Sequence, residues 1–247
     1  MERVTIVGVG GIGSHLAEDV ARLLAYCGKP ATLTLVDGDH FEDRNGERQA
    51  FTGLGNKATA KQRELAAKFP TIRVDAMAED LTPENAPFIL LPGEMVLVCV
   101  DNHPTRKLVA EVAATVEDIT VISGGNDDTY GTVLLYLRHG GQELNPPITV
   151  DHPEIANPAD RAPWELSCEE RAAAGAPQVF AANVAVASAM LNVCWDFLTD
   201  PAAFRARACA FDPTEAVDPW FDEIHLDVRA NRVRPRRRGD AGISRAA

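Results

Sequence analysis

The chain has 247 residues, of which 46% are hydrophobic, and this is enough apolar surface to pack one large domain or two small ones. Its 36 acidic and 24 basic residues give a formal net charge of −12, which repels nucleic-acid phosphates and argues against nucleic acid as a partner. No early segment has the pattern of a secretion signal and no apolar run approaches the roughly 20 residues that span a bilayer, so we expect a cytoplasmic protein without a membrane partner.

The first elements have the order of a nucleotide-binding turn. A β-branched run, Val4–Val7, predicts a strand, and the helical pattern that follows it ends near Gly28. Between strand and helix lie four glycines, namely Gly8, Gly10, Gly11 and Gly13. Glycines allow a tight turn and a close approach of the backbone to a phosphate, which the positive end of the helix dipole attracts. The alternative is a sheet that needs these glycines only for a sharp turn.

The second strand, Thr32–Val36, is followed at once by Asp37, whose carboxylate suits the hydroxyl groups of a ribose. Two cations, Arg48 and Lys57, lie close behind it in a polar loop. The loop offers further side chains for contacts with a nucleotide: Asp39, Asn45 and Gln49. Paired cations favour cleavage of a triphosphate over dinucleotide binding, because charge builds on the leaving pyrophosphate. Taken singly, either cation is a surface charge, and Lys57 would then only open a solvated helix.

A helix is predicted over residues 57–69 and a short strand over residues 71–77. The next buried strand, Met95–Val100, leads into Asp101 and Asn102 at the edge of the sheet where ligands of such folds bind. Asp101 is the predicted Mg²⁺ ligand, because this ion prefers one or two carboxylates together with phosphate oxygens. Asn102 is predicted to contact the nucleotide beside it. The alternative is that one of the two residues is only the N-cap of the following helix.

The remaining pattern sets the fold class. A helix over residues 106–116, a strand at Ile119–Ile122 and an antiparallel strand over residues 132–139 complete the first two thirds of the chain. Strands that alternate with helices predict an α/β fold: a Rossmann-like open mixed sheet, mostly parallel, with helices on both faces.

Beyond this sheet, the polar stretch of residues 139–177 predicts a long crossover loop. Residues 179–198 predict a helix that is apolar on nearly all sides, and residues 223–233 a half-exposed strand. We therefore expect one nucleotide-binding domain over residues 1–235 and a disordered basic tail over residues 236–247. The apolar helix favours a homodimer.

The five cysteines contain no C-x-x-C pair, which argues against a structural zinc site and a disulfide framework, so we expect reduced thiols and no zinc. Cys99 and Cys194 lie in apolar runs and are predicted to be buried. Cys168 lies in the polar crossover stretch, where a thiolate would be accessible as a nucleophile. However, two glutamates follow it directly, and adjacent carboxylates raise the pKa of a thiol. A structural or incidental cysteine is the alternative.

Taken together, GVGGIGSH, VDGDHFEDRNGERQ, GNKA and VCVDNHPTR, in that order, resemble the ThiF/MoeB family, the adenylyltransferases related to the ubiquitin-activating enzymes. The resemblance covers residues 4 to about 138 and reaches into residues 166–198. The RQAF run and the PQ-x4-N pattern at residues 177–183 are similar to the ThiF-type proteins of PRTRC plasmid systems within this family.

This resemblance implies ATP over the glycine turn, Asp37 on its ribose, Arg48 and Lys57 on its phosphates, and Asp101 with magnesium. It also implies that a carboxylate attacks the α-phosphate to give an acyl-adenylate and pyrophosphate. In many members that carboxylate is the C-terminal glycine of a small ubiquitin-like protein. Cys168 falls where some members have a cysteine that receives the activated acyl group.

Three functions remain open on the sequence. An adenylating enzyme explains the cations, Asp101 and the long loop. An NAD-dependent oxidoreductase explains only the glycines and Asp37. A non-catalytic module that keeps the fold for binding or dimerisation is the third, since a fold does not guarantee chemistry.

Overall fold

The structure is a computed structural model, and it describes residues 2–41, 49–51, 53–127, 130–150, 152–166, 180–209, 223–227 and 232–236. A nine-stranded mixed sheet runs through the described chain in the order β11-β10-β8-β7-β6-β1-β2-β5, with β9 paired to β8. Its strands are β1 (Glu2–Val7), β2 (Ala31–Val36), β5 (Arg73–Met77), β6 (Glu94–Val98), β7 (Ile119–Asp127), β8 (Tyr130–His139), β9 (Gln142–Glu143), β10 (Glu223–Asp227) and β11 (Arg232–Arg236). A separate two-stranded ribbon pairs β3 (His40–Phe41) with β4 (Gly55–Asn56).

The five strands β5, β2, β1, β6 and β7 are parallel to one another, whereas β8, β10 and β11 continue the sheet in antiparallel pairs. The mostly parallel, mixed sheet predicted from the sequence is confirmed. Its parallel strands are apolar because helices cover both faces. The helices are α1 (Gly11–Cys27), α2 (Lys57–Lys68), α3 (Ala86–Ile89), α4 (His103–Ala113), α5 (Pro153–Ala156), α6 (Phe180–Thr199) and α7 (Pro201–Cys209), with a 3₁₀ turn at Pro163–Glu165.

Two hydrophobic cores lie on opposite faces of the sheet. The first packs α1, α2 and α6 on the sheet, and its fully buried side chains include Leu16, Leu65 and Met190. The second packs α3, α4 and α5 on the other face around residues such as Val109 and Tyr136. Cys99 and Cys194 are buried and free, as predicted, and Cys27 is free and partly buried.

Glycines in the sheet let α6 approach it closely. A Cβ atom at Gly124 would lie 2.3 Å from the sulfur of Met190, and one at Gly131 would lie 2.4 Å from Cγ2 of Val186. The expectation that no apolar run approaches the length of a membrane span is wrong for α6, which could cross a membrane by length and composition alone, although half of its apolar window is buried inside the protein. It therefore fits the core helix of a globular fold.

Several predicted boundaries are wrong. The strand predicted to reach Val100 ends at Val98, and the helix predicted from residue 106 begins at His103, because Asn102 caps it. The single strand predicted over residues 223–233 is two antiparallel strands, β10 and β11. Arg236 ends β11, so the predicted tail cannot include it, and residues 237–247 lie outside the described residues.

The predicted crossover loop, residues 139–177, is not free of regular structure. Its described part contains the end of β8, the short strand β9, α5 and the 3₁₀ turn. Residues 167–179, including Cys168, lie outside the described residues.

Candidate functional site

The candidate site lies where the order of the parallel strands reverses. The chain leaves β1 for α1 and β2 on one side, while β6 and β7 lie on the other side of β1. The segment after β6 contacts the end of β1, since the amide of Cys99 donates to the carbonyl of Val7 at 2.8 Å, and the turn after β1 contacts the end of β2, since the amide of Gly8 donates to the carbonyl of Val36 at 2.9 Å. Ligands of open α/β sheets bind in this crevice at the carboxyl ends of the strands.

Two of the four glycines are required by the protein itself. Gly8 has φ +87°, and a Cβ atom there would approach the backbone of Cys99 to 3.0 Å. A Cβ atom at Gly13 would lie only 2.0 Å from the carbonyl oxygen of Gly8, so α1 could not lie this close to the turn. Gly10 differs, because no atom lies within 4 Å of a Cβ built there. The open space at Gly10 is where a ligand can approach the backbone.

Helix α1 begins next to this space. Among the residues that the structure describes, none acts as a side-chain N-cap, and the first turn holds no acidic residue. The N–H groups and the positive end of the dipole of this 17-residue helix are therefore directed at the open side of the turn. An anion such as a phosphate fits this end of the helix.

Asp37 lies beside the turn and is held by two backbone amides. Its Oδ2 accepts from the amide of Val9 at 2.6 Å, and its Oδ1 accepts from the amide of Asp39 at 2.8 Å. Each oxygen keeps a second lone pair for a hydroxyl donor. Burial raises the pKa of Asp37 to about 6, although the charge of Lys57 and the amide of Val9 act in the opposite direction. The ribose contact of Asp37 stays a prediction.

This raised pKa gives a testable dependence of stability on pH. Between the ordinary carboxyl pKa of 3.8 and the raised pKa of about 6, the folded state binds a proton at Asp37 that the unfolded state has lost. The contribution of Asp37 to the free energy of unfolding should therefore fall as the pH rises through this window and stay constant above it. We expect urea titrations of wild type and Asp37→Asn to show this as a difference that becomes less favourable to wild type from about pH 4 to about pH 6. A difference that does not change with pH would contradict the assignment.

Lys57 is buried, with 7% of its surface exposed, so the alternative that it is a solvated surface charge is wrong. Its Nζ donates to Oδ2 of Asp39 at 2.9 Å. Burial acts to lower the pKa of Lys57, but the carboxylates of Asp37, Asp39 and Asp101 act against it, and the net pKa is raised. The ammonium group is therefore charged and lies among three acids at the carboxyl edge of the sheet.

Asn56 organises these groups and was missed in the sequence. Its Nδ2 donates to the carbonyls of Asp37 at 2.8 Å and Asp39 at 3.1 Å, while its Oδ1 caps α2 by accepting from the amide of Thr59 at 2.9 Å. One side chain thus joins the acidic turn to the helix that begins with Lys57. The N-cap preference of asparagine three residues before a threonine was the available signal.

Ser14 and Lys61, which the sequence analysis did not single out, hold the segment at Gln49 and Ala50. The amide of Ala50 donates to Oγ of Ser14 at 3.1 Å, and its carbonyl accepts from Nζ of Lys61. Lys61 is almost fully buried, also pairs with Glu64 at 3.1 Å, and lies over the ring of Phe51. The segment directly behind the predicted cation is therefore fixed between α1 and α2.

Three predicted site residues are not placed by the structure. Asn45, Arg48 and Cys168 lie outside the described residues, so their roles stay predictions. Gln49 is described and partly buried, and its Oε1 is buried without a hydrogen-bond partner among the described residues.

Asp101 and Asn102 have different positions after β6. Asn102 is the N-cap of α4, since its Oδ1 accepts from the amide of Thr105 at 2.9 Å. Asp101 is exposed, and its charge acts on both Lys57 and Arg106. The capping alternative therefore holds for Asn102, whereas Asp101 is exposed.

The crossover segment is attached to this turn. Oδ2 of Asp160 accepts from the amide of His103 at 2.9 Å, which adds an acidic group at the N-terminus of α4. Asp160 also lines a groove of about 250 Å³ between α4 and residues 158–165, together with Pro104, Lys107 and Trp164. The described part of the predicted crossover loop therefore borders the candidate site.

These features fit a magnesium-bound nucleoside triphosphate. The space at Gly10 is open, the start of α1 has no side-chain cap, the carboxylate of Asp37 has lone pairs for a hydroxyl donor, and Lys57 carries a positive charge. Within the described ranges, no three His, Cys, Asp or Glu side chains form a group that could hold a metal ion alone. Asp101 is suited to Mg²⁺ only as a single carboxylate that shares the ion with phosphate oxygens.

A family model described as the ThiF family matches residues 1–206. The sulfur carrier protein adenylyltransferase of Thermus thermophilus is 37% identical over 114 residues, which are 44% of this chain and 40% of that protein. The adenylyltransferase and sulfurtransferase uba4 of Aspergillus niger is 36% identical over 115 residues, which are 45% of this chain and 23% of that protein. The matches therefore span less than half the length of these relatives.

Solved structures share the whole architecture. The crystal structure of E. coli MccB with ATP superposes with a TM-score of 0.67 at 17% identity, covering 99% of this chain and 66% of the MccB chain. The crystal structure of PaaA gives a TM-score of 0.60 at 19% identity, covering 96% of this chain and 64% of PaaA. At these identities the likeness shows a common fold.

Proposed function

From the premise that this chain belongs to the ThiF family, we propose that it is an ATP-dependent adenylyltransferase that activates a carboxylate. The carboxylate we propose is the C-terminus of a small ubiquitin-like protein, converted to an acyl-adenylate with release of pyrophosphate. The relatives named as adenylyltransferases support the reaction, and the name of the T. thermophilus relative supports a sulfur carrier protein as the substrate class.

The observation that carries the proposal is the buried ammonium of Lys57 beside the open end of α1. Charge moves onto the β-phosphate when the bond from the α-phosphorus to the bridging oxygen breaks, and a fixed cation in a partly dry site stabilises that charge. Binding of NAD gives no reason to bury a lysine among Asp37, Asp39 and Asp101. Cleavage of a triphosphate gives such a reason, because a buried ammonium group stabilises the charge on the leaving pyrophosphate.

In this proposal the residues mainly align the two reactants and neutralise the charge of the phosphates. The backbone at Gly10 and the N-terminus of α1 bind phosphate oxygens, and Asp37 orients the ribose. A carboxylate oxygen of the substrate attacks the α-phosphorus, its new bond forms as the bond to the bridging oxygen breaks, and pyrophosphate leaves with both electrons of that bond. Asp101 would hold Mg²⁺, which supplies charge neutralisation when bound. Alignment of the reactants supplies much of the remaining rate.

ATP–pyrophosphate exchange tests the proposal. The assay uses a sulfur carrier protein with a free C-terminal glycine, and the same carrier with an amidated C-terminus as its matched control. We expect exchange that needs Mg²⁺ and the free carboxylate. ATP binding without exchange would contradict the proposed adenylyltransferase activity and would indicate a non-catalytic binding module. Binding of NADH in place of ATP would indicate an oxidoreductase.

We also propose that the protein is a homodimer through a seam formed by α1 and α6. The two helices run in the same direction, since His15 contacts Phe180 and Tyr26 contacts Trp195 with ring centroids 5.7 Å apart. Tyr26 is 74% exposed, Phe180 50% and Trp195 43%, although all are large and apolar. An exposed apolar seam of this kind is typical of an interface.

We expect Trp195→Glu to weaken this dimer by about ten-fold or more in its dissociation constant, because central aromatic residues dominate interfaces. Sedimentation velocity over a range of concentrations measures the change. Phe88→Glu is the matched control, since Phe88 is 79% exposed and belongs to α3 on the other face of the sheet. Wild type that is monomeric at all concentrations, or equal effects of both substitutions, would reject the seam.

A further inference from the structure

Arg106 is a buried cation in an unfavourable position. It has 7% of its surface exposed and lies in the first turn of α4, where the helix dipole repels a positive charge. Burial of a charged group also costs free energy unless hydrogen bonds replace water. A residue kept at such a cost is expected to perform a task that neutral side chains cannot.

The guanidinium group of Arg106 joins the ends of two strands. Nη1 donates to Oγ of Ser123 at 2.8 Å, and Nη2 donates to the carbonyls of Val100 at 2.5 Å and Gly124 at 2.8 Å. Ser123 and Gly124 belong to β7, whereas Val100 follows β6. A Cβ atom at Gly125 would come within 3.0 Å of Nη2, so the sheet leaves room for the fork. These bonds fix the carbonyl group that directly precedes Asp101.

Asp101 is fixed on its other side as well. Asn102 caps α4 through the amide of Thr105, and Asp160 accepts from the amide of His103. The exposed carboxylate of Asp101 is thus the free part of a turn whose backbone is held before and after it. The planar fork of arginine matches two acceptors at once, which the single ammonium of lysine does not.

We propose that Arg106 is a positioning residue for Asp101: it fixes the Val100 carbonyl and thereby the direction from which the Asp101 carboxylate meets a divalent cation on the nucleotide. This role rests on the proposed function, because it needs a metal–nucleotide complex at the carboxyl edge. Arg106 itself acts through the backbone and does not touch the phosphates. Its loss should therefore weaken metal-dependent binding of the nucleotide and leave metal-free binding intact.

Calorimetric titration with a non-hydrolysable ATP analogue, with Mn²⁺ and separately with EDTA, tests this role without any turnover. We expect Arg106→Lys to lower the affinity for the analogue with Mn²⁺ by about ten-fold, as for other side chains that orient a metal ligand. In EDTA the affinity should match wild type. Ser123→Ala removes only one of the three bonds of Arg106 and should give a smaller loss of the same kind.

A double-mutant cycle with Asp101→Asn identifies the route of the effect. If Arg106 acts through Asp101, then Arg106→Lys causes no further loss once Asp101 is replaced. Arg138→Met is the matched control, because Arg138 pairs with Ile119 at the opposite edge of the sheet and should leave both affinities unchanged. Equal losses with Mn²⁺ and EDTA, or additive effects in the cycle, would overturn the role of Arg106 alone. Wild type that gains no affinity from Mn²⁺ would overturn the metal site and this role together.

Discussion

Replacement of Lys57 by methionine is expected to reduce ATP–pyrophosphate exchange by about 10²–10³-fold, the loss typical for one preorganised group that stabilises charge in a transition state. Methionine keeps most of the length of the side chain and its packing but removes the charge. Steady-state exchange kinetics measure the effect. If Lys57 acts on the leaving pyrophosphate, kcat and kcat/KM should fall together, while the affinity for ATP changes less.

The protonation state of Lys57 supports this expectation. Although burial opposes its charge, the three nearby carboxylates raise its pKa above the ordinary value of 10.5, so the group is charged throughout the neutral range. The loss on substitution should therefore be the same at about pH 7 and about pH 9. If the exchange rate of wild type fell between about pH 7 and about pH 9 while that of Lys57→Met did not, Lys57 would titrate in this range, and its raised pKa would be contradicted.

Lys68→Met is the matched control for Lys57→Met. Both lysines belong to α2, but Lys68 lies at its other end, where it pairs with Glu18 at 2.5 Å on the surface. Exposed ion pairs contribute little to stability, so this variant should keep wild-type exchange. A variant of Lys57 that loses ATP affinity alone, with kcat unchanged, would show that the ammonium group only binds the ground state.

The parts of the fold that could be predicted are those with a local pattern. The glycine turn, α1 and α2 follow from short apolar periods and from glycines that end or begin elements. The division of this segment into β10 and β11 was missed because the alternation in EIHLDVRANRV contains no glycine or proline. The antiparallel pairing of Asp227 with Arg232 cannot be recognised from this alternation alone.

In the candidate site, too, some residues could be predicted from the sequence and others could not. Asp37, Lys57 and Asp101 could be proposed because each directly follows a strand or opens a helix, and strand ends converge in this fold. Arg106 and Lys61 could not, because a charged residue in a helical pattern is usually solvated. Only the contacts of Arg106 with β7 and of Lys61 with the Ala50 carbonyl show that these cations are buried. The sequence shows where charged residues lie along the chain, but only the folded structure shows which of them are buried and desolvated.

Two glycines of the first turn have different roles, so their substitution by alanine should affect different properties: Gly13→Ala mainly the stability of the fold and Gly10→Ala mainly the affinity for ATP. In Gly13→Ala, the new methyl group would lie 2.0 Å from the Gly8 carbonyl and 3.2 Å from Cβ of Cys99. The helix would have to move away from the sheet, and we expect a loss of about 3 kcal/mol or more in the free energy of unfolding, the upper range for overpacking. Guanidinium titrations measure this loss.

Gly10→Ala should lose less stability than Gly13→Ala, because no atom lies within 4 Å of the new methyl group. The methyl group would instead occupy the open side of the turn, where we expect a phosphate to contact the backbone, and the affinity for ATP should fall by about ten-fold or more. Calorimetric titration of ATP compares the two variants with wild type. If Gly10→Ala binds ATP as wild type does, no phosphate lies against this turn. The nucleotide would then have to bind elsewhere, since the uncapped end of α1 and the open space at Gly10 form a single surface.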